Sequence, residues 1–138
     1  MKSIFGLSAA FVLCFATASA LGQATLTGVW HGKSTYDFKK LPKSYTPKQR
    51  EQEIERSKRL SQAVMTLTLK SDHTCMIVVS GVDGAPPPTK GTWNASAKAV
   101  SLTMGPASPN NSPKEFLLAK GGKKMSFTYG PTTITFTR

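Results

Sequence analysis

Strict alternation of apolar and polar residues constrains this chain more than any other feature. From residue 26 to residue 38, Leu26, Gly28, Trp30, Gly32, Ser34, Tyr36 and Phe38 share one parity. Thr27, Val29, His31, Lys33, Thr35 and Asp37 share the other. A period of two places successive side chains on opposite faces of a strand, so such a segment buries one face and wets the other. The rhythm returns in Met65, Leu67 and Leu69, in Val100, Leu102 and Met104, in Met125, Phe127 and Tyr129, and in Ile134 and Phe136, each interleaved with Thr, Ser or Lys. Threonine suits the wet positions, because its branched carbon packs flat while its hydroxyl meets water.

With residues 74–80, 90–94 and 115–119 added, the reading predicts eight strands. Short turns join most of them: Ser71-Asp72-His73-Thr74, Asn94-Ala95-Ser96-Ala97, Lys120-Gly121-Gly122-Lys123 and Gly130-Pro131. Antiparallel strands joined in this way form a meander, and closing it leaves no exposed edge. The expected fold is mainly β, an eight-stranded antiparallel up-and-down barrel.

One segment departs from this rhythm. Thr46-Pro47-Lys48-Gln49 reads as a helix start, with Thr46 as N-cap, Pro47 in the first turn and Gln49 closing a capping box. The helix, expected over residues 47 to about 63, falls between strands 1 and 2. Ile54, Ser57, Ser61 and Val64 share one narrow face with Leu60 beside it, and so thin a stripe places the helix on the surface.

At the N-terminus, Lys2 precedes an apolar run over residues 4–16, and Ala18-Ser19-Ala20 fits a small-x-small cleavage pattern. Residues 1–20 are expected to be a signal peptide cut after Ala20, and residues 21–138 a single exported domain, secreted or periplasmic, with no transmembrane segment after cleavage. Only Cys75 survives such a cut, so no intramolecular disulfide is available and the hydrophobic core must hold the fold.

Gly28-Val29-Trp30 on the first strand and Arg138 at the end of the last resemble the lipocalin-like, or calycin, pattern. In that superfamily a first-strand G-x-W tryptophan packs under a cationic side chain from the final strand. Arg138 has the parity of Ile134 and Phe136 and so points the right way. The resemblance implies a cup-shaped barrel able to hold one small apolar ligand. Gly28, Trp30 and Arg138 would close one end, and Trp30, Tyr36, Phe38, Phe127 and Tyr129 would line the interior.

The chain carries 18 Lys and Arg against 7 Asp and Glu. Lys39, Lys40, Lys43, Lys48, Arg50, Arg56, Lys58 and Arg59 crowd into residues 39–59, opposed by Glu51, Glu53 and Glu55. Such a field attracts anions. Export, and the lack of aromatic residues interleaved with the cations as stacking platforms, argue against nucleic acid. The expected anion-facing surface is Lys39, Lys40, Lys43, Arg50, Arg56 and Arg59, and its partner a small hydrophobic or amphiphilic anion, or an anionic lipid or glycan surface.

Catalysis wants convergent carboxylates, histidines or an activated thiol, and the scattered acids form no such set. His73 and Cys75 lie two apart but lack a third group to orient them or complete a metal site. The chain therefore reads as a non-enzymatic binding protein with no catalytic residue, metal or cofactor implied. The alternative function is a solid-core basic binding or inhibitor protein acting on an acidic envelope or extracellular macromolecule. If Asp72-His73 forms a two-residue hairpin tip, Leu69 faces Met76 and Leu67 faces Val78. Cys75, Ile77 and Val79 would then point outward and need cover from the helix or from a second copy in a dimer.

Overall fold

The structure, a computed structural model, describes residues 25–106 and 108–138. The expected signal segment, residues 1–20, and its cut after Ala20 lie outside the described residues. Strands β1 (Gly28–Tyr36), β2 (Val64–Leu69), β3 (Thr74–Ser80), β4 (Thr89–Ala95), β5 (Ala99–Met104), β6 (Lys114–Leu118), β7 (Lys124–Tyr129) and β8 (Thr132–Thr137) follow one another in the chain. Each pairs antiparallel with its neighbour, and β8 returns to β1, giving a closed eight-stranded barrel. This is the architecture that the alternation predicts.

Helix α1 (Pro47–Gln62) lies between β1 and β2 and packs against β1. Its start is the expected capping box: Thr46 Oγ1 accepts from the Gln49 amide at 3.3 Å, and Gln49 Oε1 accepts from the Thr46 amide at 2.8 Å. The buried face is smaller than the expected stripe. Ser57 is the buried α1 residue, while Ile54, Leu60 and the following Val64 are exposed. A small side chain at the contact lets the helix approach β1 closely, so its larger apolar groups are left at the margin.

The β2–β3 hairpin corrects the expected register. Leu69 lies opposite Cys75, Leu67 opposite Ile77 and Met65 opposite Val79. The turn holds one residue more than a two-residue tip: the His73 amide donates to Lys70 O at 3.1 Å, and the Lys70 amide to Thr74 O at 2.9 Å. His73 takes the left-handed conformation, φ 65°, that a type I turn with one added residue requires. Asp72 Oδ1 fixes the exit by accepting from the Thr74 amide at 2.9 Å and from Thr74 Oγ1 at 2.6 Å. One added residue turns every β3 side chain over. Cys75, Ile77 and Val79 face inward, and Cys75 is 2% exposed, so these three residues line the barrel and do not form an outward apolar surface in need of cover from the helix or a second copy.

Phe38 also departs from its expected place on the strand-1 inner face. The Asp37 amide donates to Pro131 O at 2.8 Å, and Asp37 Oδ1 then accepts from the Lys39 amide at 3.0 Å, which caps a 3-10 turn over Phe38–Lys40. The strand thus ends at Tyr36, two residues before Phe38.

The core gathers where β1 begins and β8 ends. Trp30, Leu67, Leu69, Val100, Leu102, Met125 and Phe136 are fully buried. Gly32 sits opposite Phe136, whose ring fills the space a larger β1 side chain would need. Trp30 Nε1 donates to Leu26 O at 2.9 Å and Trp93 Nε1 to Lys70 O at 2.8 Å, so both indoles bury their polar atom with a partner.

Candidate ligand-binding site

The barrel's two ends differ in how fully side chains fill them. Toward the start of β1, inward positions carry the buried Trp30, Leu69, Cys75, Trp93, Val100, Met125 and Phe136. Leu26 covers this end, and Arg138 reaches across it. Toward the end of β1, the inward positions carry Met65, Ile77, Val79, Met104, Phe127 and Ile134, all only half-buried. The pairings Met65–Val79 and Phe127–Ile134 place these residues in neighbouring rows on the same inner wall. This end of the barrel is less tightly filled than the other, and its inward apolar side chains remain partly accessible to solvent.

Aromatic rings step from this mouth into the core. Phe127 packs on Phe116 with ring centroids 5.3 Å apart, and Phe116 packs on Phe136 at 5.7 Å. Phe116 and Phe136 are buried and Phe127 is not, so the cluster forms a floor with one ring facing upward. Met65 and Met104 add unbranched thioether side chains that adapt to irregular apolar shapes.

The predicted lining residues separate by depth. Trp30 has no exposed surface and lies under Arg138, whose guanidinium carbon is 5.2 Å from the ring centroid. Phe127 is on the wall. Tyr36 stands at the rim, where its hydroxyl donates to Glu53 Oε2 of α1 at 3.2 Å. Burial, and then this carboxylate, push the Tyr36 hydroxyl above the usual phenol range. Phe38, in the 3-10 turn beyond β1, packs tilted against Tyr36 with ring centroids 5.0 Å apart, and Tyr129 is a rim residue 76% exposed.

The basic residues separate as well. Lys39 and Lys40 occupy the 3-10 turn at the rim, and Lys43 is exposed in the loop that follows. Arg50 Nη2 donates to Pro42 O at 3.3 Å and so ties that loop to α1. Arg56 lies 3.8 Å from Glu53, beside Tyr36. Arg59 lines a separate cleft of about 530 Å³ with Glu55, Lys58, Gln62, Gly81, Val82 and Asp83. Both signs of charge meet there, so this cleft is not the basic surface that the sequence suggests.

The inward thiol of Cys75 donates to Met104 Sδ at 3.7 Å, and burial raises its pKa to about 11. A thiol held neutral in this way is a weak nucleophile at physiological pH. His73 lies at the closed end with its Nδ1 3.2 Å from Trp93 O and its ring against the Trp93 indole. His73 and Cys75 thus serve the hairpin and the wall respectively.

Depth is what sequence reading misses. Met65 and Ile134 are legible as inward residues, but nothing in the alternation says that they sit at the mouth. Ile77 and Val79 are assigned to the wrong face by the turn. The chain matches no protein-family model, no curated protein and no solved structure.

Proposed function

We propose that the protein is an exported, non-catalytic, lipocalin-like carrier that holds one apolar or amphiphilic anion in the open half of its barrel. The observation that carries this reading is the unequal filling of the barrel. One end is packed with buried tryptophan, leucine and phenylalanine, while Met65, Ile77, Val79, Met104, Phe127 and Ile134 line the other and remain reachable. Small-molecule sites are concave, mainly apolar and marked by a few polar groups at the opening, and barrel mouths are a common place for them. Lys39, Lys40 and Lys43 supply those groups, and their charge suits an acidic headgroup on an apolar chain. Trp30 under Arg138 supports the lipocalin-like assignment.

The test is titration of the protein with a fluorescent fatty acid in lipid-free buffer. Saturable uptake with a stoichiometry near one, abolished by Phe127→Trp with the barrel's circular dichroism unchanged, is the expected result. A larger ring at Phe127 fills the mouth without disturbing the closed end. No uptake by the unaltered protein would contradict the carrier reading and direct attention to a solid-core basic protein acting on an acidic macromolecule.

A further inference from the structure

Phe38 and Tyr129 stand at the rim, where β1 and β7 end. Both are large rings turned to solvent, 46% and 76% exposed. They belong to one corner of the mouth. Tyr129 pairs with Thr132 and Thr132 with Tyr36, so the ends of β7 and β1 stand two strand spacings apart, about 10 Å. The Phe38 ring lies 5.0 Å from Tyr36, and the Asp37–Pro131 hydrogen bond holds the 3-10 turn to the β7–β8 connection. Lys39 and Lys40 follow Phe38 directly in that turn.

The carboxylates at this corner are already engaged. Asp37 caps the turn through the Lys39 amide, and Glu53 accepts from Tyr36 and pairs with Arg56. Lys39 and Lys40 have no ion-pair partner among the described residues. The corner therefore presents exposed aromatic rings flanked by cations. A hydrated polyanion would satisfy the lysines but would leave the rings in water. An acidic bilayer satisfies both, because anionic phosphates lie directly above an interfacial layer where amphipathic rings are most stable.

The barrel's outer wall fits a surface mode of binding. Apart from the exposed Val29, its outward positions on β1, β7 and β8 carry polar residues such as His31, Lys33, Ser126, Thr128, Thr133 and Thr135, whereas a membrane-spanning barrel presents a continuous apolar band. The geometry points to a docking surface for anionic lipid bilayers, formed by Phe38 and Tyr129 with Lys39 and Lys40, that sets the mouth of the barrel against the membrane. This goes beyond the carrier reading and does not need the cup to be hollow.

The test uses the intact protein with vesicles of equal parts phosphatidylglycerol and phosphatidylcholine, or of phosphatidylcholine alone. Tyr129→Trp adds a reporter at the rim, while Trp30 and Trp93 stay buried at the closed end. Lipids brominated near the headgroup should quench the added fluorescence with the acidic vesicles and far less with the neutral ones. Lys39→Glu with Lys40→Glu should weaken this vesicle-dependent quenching about tenfold or more. The N-terminal apolar run is the same in every variant, so it does not affect the comparison.

Absence of quenching with acidic vesicles would overturn the proposal, even if the protein sediments with them. So would quenching that the charge reversal leaves unchanged. Binding to a soluble polyanion without quenching would assign the corner to an acidic macromolecule instead. Fatty-acid uptake without docking, or docking without uptake, would separate this proposal from the carrier reading.

Discussion

Arg138 spans the closed end of the barrel from the last strand to the first: its guanidinium carbon stands 5.2 Å from the Trp30 ring centroid, and its Nη1 donates to Thr27 O at 3.1 Å. The charge meets the face of the indole while the fork satisfies a backbone carbonyl. Arg138→Ala should lower unfolding stability by about 1 kcal/mol, the usual worth of a partly exposed cation–π contact with one hydrogen bond. Arg138→Lys should recover only part of this, because an ammonium lacks the planar fork. Urea midpoints of the two variants and the parent check both statements.

Gly32 is needed for space. A Cβ at Gly32 would stand 2.5 Å from Phe136 Cε1 and 2.9 Å from Met65 Cβ. Gly32→Ala should therefore cost about 1–3 kcal/mol by overpacking. Adding Phe136→Leu should return part of the loss, so the double variant should be more stable than the two single changes predict by addition. A double-mutant cycle in urea measures the coupling, and strict additivity would contradict it.

Cys75 makes stability depend on pH in the alkaline range. Its folded pKa is raised to about 11 by burial, above the value of about 8.5 for an unperturbed thiol. Between these values the unfolded chain loses the proton while the folded chain keeps it. Stability contributed by this group is thus complete below about pH 8.5 and is lost as pH rises toward 11. Urea midpoints at pH 7.5 and pH 10 should fall more for the parent than for Cys75→Ala. Disulfide-exchange labelling of Cys75 should be slow in the native protein and rapid once the barrel is unfolded.

Helix α1 is held to the barrel by few contacts, chiefly buried Ser57 and the 3.2 Å hydrogen bond from Tyr36 to Glu53. Tyr36→Phe removes the bond and leaves the ring in place. The expected cost is about 0.5–1.5 kcal/mol, expressed as easier opening of α1 and not as global unfolding. Hydrogen exchange should speed up across residues 47–62 and remain unchanged in β4, β5 and β7. Uniform acceleration would show that the helix and barrel open together.

The barrel was legible because alternation reports inside and outside one strand at a time, and closure follows from pairing neighbours. Helix α1 was legible for a different reason: Thr46, Pro47 and Gln49 carry a capping arrangement that works locally. The β3 register was not, since it depends on whether His73 adopts φ 65°, and a histidine residue permits this conformation without demanding it. Parity alone does not show that Phe38 leaves the inner face, since the turn that follows Tyr36 depends on a hydrogen bond from Asp37 to Pro131, far away in the chain. The mouth lining was half legible: parity shows that Met65, Phe127 and Ile134 point inward, but their depth follows only from the order of pairing around the barrel.

We propose that the less filled half of the barrel holds a ligand. Native mass spectrometry of protein purified without detergent, followed by solvent extraction and mass analysis, tests it most directly. A reproducible bound mass that extracts as an acidic amphiphile, and is lost in Phe127→Trp, is the predicted result. A bare protein mass in every preparation, with nothing in the extract, would contradict the claim.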